Sequence, residues 1–348
     1  MTRVLSAPAP VARRAPGATR FTVVLVAVSL LAVIAVVLSL GVGARPIAPA
    51  TVLDALLHFD PSDNDHVVVI TQRVPRTIIG LLVGVGLAIA GTVMQGLTRN
   101  PFADPGLLGV NAGASVAVLC AIVLLGLTRP TGFVWFAFAG AALAAVLVAV
   151  VGSRGPDGAN PAKLALTGAA VTAGLTAVTL LILTTQSAAL DTYRYWSVGA
   201  LTGRDLQTVV LVVAPLLVGV VLAAAIAPGL NLIALGDDTA TGLGHSVSRT
   251  RGIGVTATVL LSGSATALAG PIVFLGLVVP HTLRALVGGS YGRLIAAGAP
   301  LGAAFLLFAD VAGRVIAPPG EVQAGVVVAF VGAPVLIALV LRGRRVAL

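Results

Sequence analysis

A single cysteine, Cys120, leaves the chain without an intrachain disulfide or a thiolate metal cluster. Its neighbours are apolar, so it reads as a small buried hydrophobe. A single lysine, Lys163, lies between Ala162 and Leu164. A phosphate-binding loop of the GxxxxGK[ST] type needs its lysine between glycine and a hydroxyl residue, so this chain carries no such loop. Charged residues make up only 9% and aromatics 4%. The first figure excludes a soluble domain, where about a quarter of residues are charged. The second, with the basic residues scattered, argues against a nucleic-acid surface despite the net charge of +9.

Apolar residues fill the space instead: 58% of the 348 residues, with a mean hydropathy of +1.07. The chain reads as an integral, all-α membrane protein. The gaps between charges mark its spans. Residues 21–44 form the first, and the mixed segment 45–76 is external, with a short helix near residues 51–58. Further spans are expected near 77–98, between Asp104 and Arg129, between Arg129 and Arg154, and at 164–185. An aromatic interfacial helix falls within 186–205, followed by a span at 206–227. Residues 252–283 carry no charge and are too many for one helix, so Gly270-Pro271 divides them into spans at 253–269 and 272–287. The last two are near 294–312 and 323–341. Each is close to the ~20 residues that cross a ~30 Å hydrocarbon layer.

Ten spans put both termini on one side. With both inside, 14 of the 21 Lys and Arg lie in the cytoplasm, as the positive-inside bias requires. Residues 1–20, with four arginines and no acid, read as a disordered cytoplasmic tail ahead of a permease domain at 21–345. Arg13-Arg14 resembles a twin-arginine signal, and a cleavage site at residues 42–44 is the alternative. The apolar run is too long for a signal h-region, so an uncleaved span is expected. Small residues along the spans, with 41 glycines, predict close helix packing. GLAIAG (residues 86–91) and TALAG (266–270) echo each other faintly, too briefly to establish an inverted repeat.

Energy coupling narrows the function. Asp310 is the one acid within a span, and an intramembrane acid is what an ion-coupled carrier uses. It also stands four residues before Arg314, where it reads as an i,i+4 partner. Power for transport is therefore expected from another chain. Residues 228–251 offer a place for it: Gly236-Asp237-Asp238 caps a short helix at 239–243, and Gly244 ends it. A membrane enzyme would need a buried cluster, yet Asp310, His281 and Cys120 fall on different spans. His281 has no second ligand at metal spacing and reads as structural. Gln95 and Asn111 are polar residues near span ends.

Six motifs go further: RVPR (73–76), MQGLTRNPFADPGLLG (94–109), LGDDTATGLG (235–244), GPIVFLGLVVPHTLR (270–284), ADVAGR (309–314) and GAPV (332–335). In this order, over about residues 21–345, they resemble the FecCD family. These are permease subunits of binding-protein-dependent ABC importers for iron-siderophores, haem and vitamin B12, and the wording looks nearest to ferric-enterobactin-type members. The resemblance implies a type II importer fold of ten spans in the bacterial cytoplasmic membrane. It implies two permease subunits, copies or sisters, two cytoplasmic ATP-binding subunits and an extracytoplasmic binding protein. It implies no cofactor, no metal and no catalytic residue. Arg73, Arg76 and Arg314 match external arginines that meet binding-protein glutamates, as forked guanidiniums suit carboxylates; otherwise they are interface anchors. Asp237, Asp238, Thr239, Ala240, Thr241, Gly242, Leu243 and Gly244 match the helix that couples to the ATPase. Asn100 and Phe102 match an inner constriction, and residues 160–162 supply a second, less distinct one. Two departures stand out: Gln323 where many relatives carry proline after the glutamate matching Glu321, and a longer N-terminal tail. The reading is a permease for an iron chelate, powered by another chain; haem or vitamin B12 is the alternative cargo, and an ion-coupled carrier the alternative mechanism.

Overall fold

A computed structural model describes residues 17–43, 45–154, 161–204, 206–318 and 320–343. Most of the expected basic tail and residue 160 of the second constriction lie outside these. The described residues form helices and loops with no strand.

The first long helix, α1 (Ala18–Gly41), starts inside the segment read as a tail and ends where the first charge-free run ends. The external segment holds α2 (Pro49–Leu57), opened by proline in its first turn, where the missing N–H costs nothing. Next comes α3 (Asn64–Val68), capped by Asp63, whose side chain accepts the Asp65 N–H at 2.7 Å. A π-helical turn (Val69–Arg73) then leads without interruption into α4 (Val74–Thr98). The second span thus begins about a dozen residues before the charge-free run. Charges at Asp65, Arg73 and Arg76 do not end the helix, because it projects beyond the hydrocarbon and the charges find partners there.

Arg99 closes α4 in the left-handed region (φ 50°), and a 3₁₀ turn (Pro105–Leu108) precedes α5 (Val110–Leu125). Then follow α6 (Pro130–Ser153), α7 (Pro161–Thr185), the short α8 (Ser187–Ser197) and α9 (Leu206–Ile233). The six-residue α10 (Asp237–Gly242) precedes α11 (Val247–Ala269), α12 (Leu275–Val287), α13 (Tyr291–Ile316) and α14 (Ala324–Gly343). Seven helical segments are long and apolar enough to cross a membrane; α5, α12 and most of α14 are shorter apolar helices. Together they make the ten expected spans, with α2, α8 and α10 outside the count.

α4 is the central helix, packed on α13, α11, α12 and α9. The most buried spans, α4, α11 and α13, are less apolar than α1, which is exposed along most of its length. Lipid demands an apolar exterior, whereas the interior gains from close backbone contact. A Cβ on Gly84 would strike the Gly302 backbone on α13, and one on Gly91 the Gly276 backbone on α12. Cys120 is only partly buried, which corrects the expectation of a core position: α5 leaves that face less covered.

The break between α11 and α12 shapes one end of the bundle. Gly270 (φ 79°) and Phe274 (φ 68°) both turn left-handed, leaving backbone groups free of helical partners. The loop after α8 takes one of them: the Ala200 N–H donates to Ala269 O at 2.8 Å. Gly199 (φ 78°) in turn accepts the Gly325 N–H at 2.9 Å, at the start of α14. This strapped loop carries Leu201 to Arg204.

Candidate functional site

The three singled-out arginines gather at one end of the bundle, but as an internal network. Arg76 donates through Nε to both oxygens of Asp310 (2.9 and 3.1 Å) and through Nη2 to Oδ1 (2.8 Å). Its Nη1 reaches Glu321 at 2.7 Å. Arg314 takes the other side of Asp310, with Nη2 to Oδ2 at 2.5 Å. The i,i+4 pairing is therefore present, with Arg76 added across from α4. Asp310 is fully buried, and a carboxylate there is tolerable because two guanidiniums answer it.

The same arginines finish α1. A helix leaves its last four carbonyls without partners, and α1 has no basic residue in its final turn. Arg314 Nη1 donates to Ser39 O (2.7 Å) and Val42 O (3.1 Å). Arg73 Nη1 donates to Leu40 O (2.7 Å) and Gly41 O (2.6 Å), and its Nη2 to Arg45 O. Ser39 Oγ and Thr77 Oγ1 add a contact at 2.7 Å. Arg73, Arg76 and Arg314 are only 6%, 7% and 2% exposed, held within the bundle rather than projecting from it. Their guanidiniums are already hydrogen-bonded, although all three still line a cleft.

That cleft has two chambers. One, of about 560 Å³, is lined by Arg45, Arg73, Arg76, Arg204, Arg314 and Glu321, among others. The second, of about 500 Å³, has Phe133, Tyr195, Trp196, Arg204 and Gln323 in its wall. Thr202, Gly203, Arg204 and Glu321 belong to both. Trp196 is buried, with its ring edge-on to Phe133 at 6.5 Å. Burial pushes the Arg204 guanidinium down to about 10, which still leaves it charged near neutrality. Neither Arg204 nor Trp196 was singled out by its residue type; the flanking Gly199 and Gly203 were the available signal, since each marks a fixed left-handed turn.

The Asp-Asp motif lies at the opposite end. Arg99, at the end of α4, approaches Asp237 at 3.9 Å, and Arg251 of α11 pairs with it at 2.8 Å. From Arg76 to Arg99 along α4 is ~35 Å, the thickness of a bilayer core. By the basic-residue bias, the Arg76 end is external and the Asp237 end cytoplasmic. The short helix begins at Asp237, so Asp237 and Asp238 stand in its first turn rather than serving as caps. Carboxylates there favour the helix dipole. Gly236 (φ 109°) is the N-cap, Leu243 the C-cap, and Gly244 turns left-handed behind it. Ala240 is buried, while Leu235 and Leu243 are each 63% exposed.

Asn100 and Phe102 are exposed at this same end, with Asn100 Oδ1 accepting the Phe102 N–H at 2.9 Å. Asp104 next to them is half-buried. Burial pushes its carboxyl up, against the Gly106 N–H that favours the charge. Gln95 accepts from Arg284 at 2.9 Å, and Arg284 lies over the Tyr291 ring. Asn111 accepts from Thr266 at 3.1 Å. His281 sits one turn before Arg284, far from Asp310, so the candidates for an enzyme are not brought together. Among the described residues, no group of three His, Cys, Asp or Glu is placed to hold a metal.

Comparison with known proteins shows the family and the fold. The FecCD transport family model matches residues 30–342. The chain is 45% identical over 316 residues to the ferric enterobactin transport system permease FepD of Escherichia coli K12, covering 91% of this chain and 94% of that one. It is 38% identical to the iron(3+)-hydroxamate import system permease FhuB of Bacillus subtilis 168, over 93% of this chain and 84% of the relative. In fold it is similar to an inward-facing transporter assigned to the metal-chelate ABC type, with a TM-score of 0.79 and 25% identity. That match covers 92% of this chain and 99% of the other.

Proposed function

Because the chain belongs to the FecCD transport family, as a multi-pass permease subunit of the bacterial cytoplasmic membrane rather than an enzyme, we propose that its cargo is a ferric catecholate chelate of the enterobactin type. The identity to the enterobactin permease exceeds that to the hydroxamate permease and to an iron-citrate permease of Bacillus subtilis, 40% identical over 308 residues. An anionic chelate also suits an external mouth rich in arginine.

The observation that carries the mechanism is the separation of two unlike ends by ~35 Å of one helix. An external binding protein presents carboxylates to the cationic cleft at Arg73, Arg76 and Arg314. There Glu321 holds Arg76 Nη1 and is the group a docking carboxylate replaces. At the other end, separate ATP-binding subunits grip the segment Asp237 to Gly244, with Leu235 and Leu243 as apolar anchors and Asp237 tied back to Arg251. A second permease subunit, a copy or a sister, completes the pathway, and Asn100 with Phe102 narrows its inner mouth. ATP-driven movement of α10 passes into α9 and α11, which flank it, and from them into α4.

Asp310 supports the same reading. An ion-coupled carrier needs an acid that can take and release its ion. Here two guanidiniums occupy both carboxylate oxygens. Reconstitution tests the proposal: the chain in liposomes with its ATP-binding subunits and binding protein takes up a ferric tris-catecholate only when ATP and binding protein are both present. Uptake driven by an ion gradient without the ATPase overturns it.

A further inference from the structure

We propose that Arg204 and Trp196 form an anion-binding subsite at the outer mouth, which holds the chelate's anionic face as it leaves the binding protein. This rests on the iron-chelate reading of the chain and adds specificity-determining residues to it. Four observations converge. First, Arg204 belongs to the wall of both chambers, so one guanidinium serves the whole cleft. Second, Arg45 pairs with Asp65 and Arg76 and Arg314 share Asp310, whereas Arg204 has no ion pair among the described residues. Third, Arg204 Nε and Trp196 Nε1 are both buried N–H donors without an acceptor among the described residues. A dry, unanswered donor costs about 1–3 kcal/mol, more when charged, so two on one chamber describe a place for an acceptor oxygen. Fourth, the strapped loop fixes both: Gly199 N–H bonds Trp196 O, and Ala200 and Gly199 are tied to α11 and α14.

The ligand chemistry follows from the wall. Tyr195 offers exposed aromatic surface beside the cation, with the buried Trp196 and Phe133 packed behind it in the same wall. Five arginines line the neighbouring chamber against one carboxylate, Glu321. An aromatic, oxygen-rich polyanion fits both features, and a neutral chelate fits only the first. Chambers of about 500 and 560 Å³ are in the range of small-molecule pockets.

The chain has two tryptophans, so a Trp135→Phe background makes Trp196 the only emitter. In lipid nanodiscs, a trianionic ferric tris-catecholate quenches this emission, and a neutral ferric tris-hydroxamate of similar size quenches it far less. Arg204→Gln weakens quenching by the trianion about tenfold, the loss of one charged hydrogen bond. Arg204→Lys recovers part of it. Quenching unchanged in Arg204→Gln overturns the subsite, as does equal loss for the neutral chelate. Uptake by the complete importer separates this from the functional reading. If wild-type uptake is normal and Arg204→Gln does not lower it for the trianion, the subsite is wrong and the permease reading stands. If the wild-type importer moves no ferric chelate, the permease reading is wrong. Weaker binding-protein affinity in Arg204→Gln with unaltered quenching assigns Arg204 to protein docking and also overturns the subsite.

Discussion

Arg76 on α4 and Asp310 on α13 meet through three hydrogen bonds of 2.8 to 3.1 Å, at positions 234 residues apart in the chain. The carboxylate is wholly buried and Arg314 holds its other side. Removing the acid leaves two guanidiniums facing each other in a poorly solvated site. Asp310→Asn should destabilise the protein by about 3–5 kcal/mol, the cost of breaking a buried ion pair. Thermal unfolding in detergent, followed by helical circular dichroism, measures it. An Asp310→Asn midpoint equal to wild type refutes the structural role of this network.

Glu321 competes for Arg76 from outside the span and is partly exposed, unlike Asp310. Replacing it frees one guanidinium edge without opening the core. Glu321→Gln should therefore tighten binding-protein docking several-fold, about 1 kcal/mol. Surface plasmon resonance against nanodisc-held permease reads the affinity; weaker docking shows Glu321 to be part of the docking surface itself.

Leu243 presents an exposed apolar side chain beside the buried Ala240 anchor. Leu243→Asp should abolish co-purification of the ATP-binding subunits and leave binding-protein affinity unchanged. Asp237→Ala, which removes the ion pair to Arg251, should instead permit assembly and lower ATPase stimulation. If Leu243→Asp disturbs docking at the far end alone, the two ends have been assigned the wrong way round.

Sidedness is directly measurable, since a Cys120→Ser background is free of thiols. Ser62→Cys should react with an impermeant maleimide on intact spheroplasts, and Leu243→Cys only after permeabilisation.

Two glycines should respond oppositely to a methyl group. Gly91→Ala collides with the Gly276 backbone and should lower the yield of folded protein sharply. Gly174 meets nothing within 4 Å, so Gly174→Ala should be neutral or stabilising by up to ~1 kcal/mol. Fluorescence-detected size exclusion compares the pair.

Much of the architecture was legible in the sequence because lipid is an unforgiving solvent. Charge-free runs had to be spans, and Gly270-Pro271 had to be a break. The boundaries failed where charge found a partner. The long α3–α4 helix starts early because Arg73 and Arg76 bond to α1, α13 and Glu321, none of them near in sequence. The cleft was legible only in part. Arg73, Arg76 and Arg314 were visible as a group, but their burial depends on the carbonyl end of α1 and on Asp310 lying opposite Arg76. Arg204 looked like any loop base, since only the folded loop reveals that its Nε lacks an acceptor among the described residues.

The helix from Val74 to Thr98 has no internal proline beyond its first turn and no π turn within it. A stiff rod cannot absorb a twist in its middle. On the proposed function, an ATP-binding subunit that turns the rod's inner tip near Arg99 turns the outer tip as well, and the Arg73 hydrogen bonds that cap α1 ride with it. On that reading the two ends are the handles of one crank, and release of the delivery protein is timed by the stroke itself.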